Sequence, residues 1–168
     1  MNEASSSLEK TEVLYDNDNI QRRVLEAYSE IKEQHESCID HTEVAMVVTY
    51  DAIWNGLLNL KKRGIRMRCI VEATHENIVY CKKLTEIAQV RHLTAIRSNF
   101  GISDRKLCLH TITNEEQPLS HAIITNVKGI VEAQQYLFET LWSKAIPLEK
   151  KIKELEEGIV TEFIETLR

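Results

Sequence analysis

The chain has 168 residues, 43% hydrophobic and 28% charged, the proportions of an ordinary soluble globular protein. That length holds one domain plus extensions and leaves room for a proper core. A net charge of -5 with no basic block gives generic binding to nucleic acid or an anionic membrane no electrostatic support, so neither is expected as a partner. No apolar run approaches the length of a membrane span, and the polar, acidic start MNEASSSLEK lacks a secretion signal, which points to the cytoplasm. Cys38, Cys69, Cys81 and Cys108 form no C-x-x-C pair, so neither a metal nor another cofactor is expected.

Residues 1–11 show no apolar periodicity and read as a flexible lead-in. Asp16, Asp18 or Asn19 can cap a helix running from about Ile20 to Ser37, with Val24, Leu25, Tyr28 and Ile31 on its apolar face. EVAMVVTY, Glu43 to Tyr50, is a near-continuous apolar and β-branched run, which predicts a strand covered on both faces. Asp51 then caps a helix bearing Ile53, Trp54, Leu57, Leu58 and Leu60, ended by Gly64. Residues 65–73 predict a second strand, 77–88 a helix and 90–96 another strand. FGISDRKLCLHTI continues with strand pairing around a turn at 103–106, and NEEQP is a loop. HAIITN is the last strand, and Gly129 precedes a final domain helix from Ile130. The alternation predicts an α/β fold: a mixed, mainly parallel sheet flanked by helices.

The end of the chain changes character at Pro147. Before it, Leu137, Phe138, Leu141, Trp142 and Ala145 fall at the spacing of a core-facing helix. After it, Leu148, Ile152, Leu155 and Ile159 follow heptad spacing, with Lys151 and Glu156 flanking. That pattern predicts a C-terminal coiled-coil extension and a homodimer, with Pro147 as hinge because it removes a donor and disfavours helix at Ile146. The duller alternative is an amphipathic terminal helix packed on its own domain. The expected division is a lead-in at residues 1–11, a folded domain at 12–146 and a terminal helix at 147–168.

In open α/β sheets, ligands bind outside the carboxyl ends of the strands. Those ends supply Tyr50, Asp51, Glu72, Arg97, Asn99 and Asn126 as pocket candidates. Each has a structural alternative: Asp51 as a helix cap, Glu72 as a strand-end charge, Asn126 as a turn residue. The six histidines are scattered, and no nucleophile elbow, zinc helix or glycine-rich phosphate loop is present.

Four stretches together resemble a known arrangement: EVLYDNDNI, KKRGIRMRCIVEATHENIVYCKKL, RHLTAIRSNFGISD and QQYLFETLWSKAIPLEKKIKELEEGIVTEFIETLR. They are similar to the N-terminal sensor region of archaeal cytoplasmic sensor histidine kinases, whose input domain has a phospholipase D-like fold. The resemblance implies a non-catalytic input module that passes a small-molecule or protein signal through a dimeric helix to a kinase module downstream. Phospholipase D enzymes carry H-x-K-x-x-x-x-D and a later asparagine. The resemblance sets RSNFGISD on that motif, with Arg97 at the histidine position, Asn99 at the lysine position, Asp104 at the aspartate position and Asn126 as the later asparagine. A guanidinium stays protonated and cannot replace the nucleophilic imidazole, although its planar fork can bind an anion. Two other readings stay open: an effector-binding domain of a transcription regulator, and a degenerate phosphodiesterase.

Overall fold

In the computed structural model, which describes residues 8–112 and 119–167, the order is β1 (Thr11–Tyr15), α1 (Asn17–Glu30), β2 (Gln34–Ile39), α2 (Val44–Thr49), α3 (Asp51–Lys62), β3 (Arg66–Val71) and α4 (Ile78–Leu84). It continues with β4 (Gln89–His92), β5 (Asn99–Ser103), β6 (Leu107–Ile112), β7 (His121–Thr125), α5 (Lys128–Lys144), β8 (Ile146–Pro147) and α6 (Leu148–Thr166). The strands form one eight-stranded sheet in the order β1-β7-β6-β5-β2-β3-β4-β8. Helices α1 to α4 contribute the core on one face, where Ile20, Val24, Leu57, Leu60 and Val71 meet. Helix α5 covers part of the other, setting Val131, Phe138 and Trp142 against Cys38, Ile70, Phe100 and Ile102.

The fold is mixed α/β as expected, but the sheet is mostly antiparallel. Only β2–β3 and β3–β4 run parallel among the described strands. The pairs β1–β7, β7–β6, β6–β5, β5–β2 and β4–β8 are antiparallel. The reason lies in the connections: among strands that neighbour each other in the sheet, helices join only β2 to β3 and β3 to β4, whereas β5 and β6 join through the tight turn at Asp104 and Arg105, both with positive φ.

Residues 43–50 are not a strand. They form α2 and its flanks, while the second strand is QHESCI, which buries Gln34, His35 and Glu36 in the middle of the sheet. Each of those three side chains has a partner that composition hides, although Glu36 Oε2 is buried without a hydrogen bond among the described residues. The His35 ring meets Ser103 Oγ at 3.2 Å, and Glu36 takes Arg68 at 3.0 Å beneath α5. The helix at 44–49 starts instead at a local hydrogen-bond cluster: Asp40 Oδ1 accepts from the backbone N–H groups of Thr42 and Glu43 at 2.9 and 3.1 Å. Further upstream, Asp16 caps α1 by accepting from Asn19 N at 3.0 Å.

The heptad seam is used inside the chain. Leu148 is fully buried in the main core and Ile152 packs against it, while Leu155 is half-buried; the side chain of Ile159 lies outside the described residues. Glu156, expected to pair between helices of two chains, meets Lys82 of α4 at 3.2 Å. No C-terminal coiled coil is present among the described residues. Pro147 pairs with Arg91 at the sheet edge through β8, a position where a missing N–H costs no ladder bond. No helix is long and apolar enough to cross a membrane among the described residues.

Candidate functional site

The carboxyl ends of the parallel strands β2 and β3 deliver Asp40 and Glu72 to one end of the sheet. The antiparallel strand β5 begins at that same end, so it brings Arg97, Ser98 and Asn99 beside them, and β6 finishes there with His110 and Thr111. Asp40, Arg97, Ser98, Asn99, His110 and Thr111, with Ile112 and Ile123, line a surface groove of about 530 Å³.

The polar groups behind the groove are linked in series. Asn99 Nδ2 donates to Asp40 Oδ2 at 3.0 Å while Asp40 N donates to Asn99 Oδ1 at 2.7 Å, a reciprocal pair. Asp40 Oδ1 also takes the Thr42 hydroxyl at 2.7 Å. One helical step on, the Thr111 hydroxyl reaches the Glu43 carboxyl at 2.8 and 3.0 Å. Burial acts to raise the Asp40 pKa, but hydrogen bonds from Thr42, Asn99 and the backbone of Glu43 outweigh it and keep this carboxylate ionised below its usual range. Glu43 has the opposite fate. Burial pushes it up to about 7, the Thr111 bond only partly offsets that, and the Asp40 charge adds to it. Burial also lowers His110, which packs against Phe100 at 5.6 Å between ring centroids and is therefore neutral near pH 7.

Of the residues expected at this site, Arg97 and Asn99 share the groove, Arg97 exposed and without an ion pair or hydrogen bond among the described residues. Glu72 lies next to them: its Oε2 accepts from Ile96 N at 2.9 Å, and its Oε1 is 3.6 Å from His41 Nδ1. Tyr50 and Asp51 sit at the α2–α3 junction instead, Tyr50 half-buried against the core and Asp51 exposed in the first turn of α3. Asp104 is at the opposite end of the sheet. There it accepts the backbone N–H groups of Lys32, Glu33 and Gln34 at 2.8, 2.9 and 3.0 Å. Asn126 is also at that far end, where it holds the N-terminal segment through Lys10 N and Leu8 O. The motif register therefore splits: its first two positions enter the groove and its last two do not. Asp40, Glu43, His110 and Thr111 were missed. Asp40 and Glu43 carry a readable signal, since D-x-x-E directly before an apolar run marks a helix start; His110 and Thr111 become neighbours only through strand pairing. Among the described residues no group of three or more His, Cys, Asp or Glu side chains is placed to hold a metal ion.

This sheet order, with helices on both faces and polar groups gathered where β2, β3 and β5 meet, is a phospholipase D-like fold. No family model and no curated protein matches the chain. Among solved structures it is similar to Nuc, a phospholipase D family member from Salmonella typhimurium, with TM-score 0.67 and 14% identity over 83% of this chain and 98% of that one. NucT from Helicobacter pylori gives TM-score 0.61 at 14% identity over 83% and 99%. TrmBL2, an archaeal chromatin protein described as having a novel mode of DNA binding, gives 0.60 at 15% identity over 87% of this chain; the chain spans 56% of its length. These likenesses show the fold. The last of them also overturns the expectation that nucleic acid is excluded. Net charge is a sum over the whole surface, whereas nucleic acid meets only a local patch, so a value of -5 does not decide the matter.

Proposed function

We propose that this chain is a non-catalytic regulatory module that keeps the phospholipase D-like frame and uses its strand-end groove for recognition instead of phosphodiester hydrolysis. The observation that carries the reading is the Asp40–Asn99 pair. At the position where the resemblance places the phosphate-holding lysine stands an amide whose nitrogen and oxygen are both committed to Asp40. Beside it, Arg97 replaces the nucleophilic imidazole and offers a free guanidinium, suited to bind a carboxylate or phosphate and unsuited to attack one.

The output in this reading is α6. It packs on β4, and the loop that leaves β4 carries Arg97 into the groove, so an occupant touching Arg97 acts on the segment adjoining the helix's docking strand. A ligand preferring one arrangement of that loop would shift the population of docked α6. The resemblance to sensor histidine kinases makes a downstream kinase module the receiver. A second reading, an effector-binding domain of a DNA-binding regulator, draws support from the likeness to TrmBL2.

The test is hydrolysis of bis(p-nitrophenyl) phosphate by the purified chain. The expected result is no turnover above buffer for either the chain or its Arg97→Ala variant. Turnover that Arg97→Ala or Asn99→Ala abolishes would establish an enzyme and sink the proposal. Fluorescence anisotropy with duplex DNA at low and physiological salt addresses the second reading: saturable binding favours it, and none leaves the kinase reading ahead.

A further inference from the structure

Between the layer of α1 to α4 and the sheet lies a cavity of about 90 Å³, separate from the strand-end groove apart from Thr111, which lines both. A single water needs roughly 10–15 Å³ on this measure, so the space matches a molecule of several heavy atoms. Its walls are mainly apolar, with Val47, Leu57 and Leu109 among them, and its polar lining includes Tyr28, His35 and Glu43. These polar groups come from three different elements and are held in place. Glu43 is only 4% exposed and fixed by Thr111. The His35 ring lies edge-on to Tyr28 at 5.4 Å between centroids, over Gly101, where a Cβ would come within 3.0 Å of His35 Cε1. Neither Tyr28 Oη nor His35 Nε2 has a hydrogen-bond partner among the described residues.

We propose that this cavity is a binding site for a small primary amine with an apolar body, its ammonium donating to the Glu43 carboxylate and to Tyr28 Oη, its hydrocarbon lying against Val47, Leu57 and Leu109. The choice of chemistry follows from charge and hydrogen-bond supply. The ionisable lining offers one carboxyl and no available cation: burial holds His35 neutral, and the Arg68 guanidinium is on the α5 side of the sheet, bound to Glu36 and Glu139 and stacked over Phe138 and Trp142. An anion would therefore meet an acid with nothing to neutralise it. An amine supplies three N–H donors where Glu43, Tyr28 and, with Nδ1–H donated to Ser103, His35 Nε2 present acceptors. The filled site carries no net charge: the ammonium enters as the protonated Glu43 releases its proton to solvent, and the ion pair forms in place. The ion pair is tolerable in this setting because its hydrogen bonds are satisfied.

This inference does not rest on the role given to the strand-end groove, and it can fail while that role stands. The experiment is titration calorimetry on the full chain with n-hexylamine, 1-hexanol and hexanoate in parallel. Hexylamine is expected to bind saturably, with hexanol at least tenfold weaker and hexanoate silent. Glu43→Gln should weaken hexylamine at least tenfold, and Val47→Phe, which fills the cavity while leaving Glu43 in place, should abolish binding. Thermal melts verify that each variant folds; if Glu43→Gln does not fold, Val47→Phe and the hexanol comparison decide. No saturable amine binding, equal binding of amine and alcohol, or unchanged amine binding in Val47→Phe would each overturn the proposal, leaving a cavity that holds water only.

Discussion

Asp104 and Arg97 stand seven residues apart in one motif-like stretch and do opposite jobs. Asp104 sits at φ 51 and gathers three successive backbone N–H groups at the start of β2. Burial alone would raise its pKa, but those three backbone bonds and the Lys106 charge outweigh it and hold the carboxylate low. Hydrogen bonds to a charged acceptor are each stronger than neutral ones, and three donors would lose their partner at once. Asp104→Ala is therefore expected to lower unfolding free energy by about 2–3 kcal/mol in urea titration, with Asp104→Asn costing less because asparagine tolerates positive φ and keeps one acceptor. Arg97→Ala should stay within about 0.5 kcal/mol of wild type, since this exposed side chain makes no bond among the described residues. Equal losses at the two positions would mean that Arg97 is structural and that the groove reading is misplaced.

At the scale of elements, α6 is the segment whose role is most open to a stability measurement. Leu148 contributes a completely buried side chain to the main core, so Leu148→Ala should cost about 2–5 kcal/mol. Lys82→Ala, which removes the exposed pair to Glu156, should cost well under 1 kcal/mol. A near-zero effect of Leu148→Ala in thermal or chemical melts would return the helix to the role of a free extension. The same element shows which parts of the fold were legible. Spacing at Leu148 and Ile152 marked a helix with one apolar face, and Gly64, Asn77 and the turn at Asp104 marked element ends correctly. Periodicity cannot say what the apolar face touches, so a seam that fits a partner helix fits the chain's own core equally well. β2 was illegible for a related reason. Its buried Gln34, His35 and Glu36 look polar until Arg66, Ser103 and Arg68 arrive from other strands to give each a hydrogen bond. The apolar run 44–49 had the composition of a strand, and only the Asp40–Glu43 spacing betrayed its helical start.

At the scale of the whole molecule, the layer between the helices and the sheet holds two ionisable groups with opposed dependences on pH. Glu43 is raised by burial to about 7, so over roughly pH 4.5 to 7 the native state binds more protons than the unfolded chain. Its contribution is fully present at acid pH and is lost as pH rises through 7. His35 is lowered by burial from 6.5 to about 4, so its contribution is present above 6.5 and is lost as pH falls towards 4. The two slopes overlap and largely cancel, which hides both in a wild-type stability curve. Removing one uncovers the other. Glu43→Gln keeps the shape of the protonated acid, so it should match wild type near pH 5, where Glu43 is neutral in the native state. By pH 8 wild type has to bury a charge that the variant lacks, and a shift of this size corresponds to about 3 kcal/mol at roughly 1.4 kcal/mol per pKa unit. Urea titrations at pH 5 and pH 8 should therefore show the variant gaining about 3 kcal/mol on wild type between the two. Parallel curves would mean that Glu43 is hydrated and titrates in its ordinary range, and an acid already solvated by water has little reason to prefer an ammonium partner.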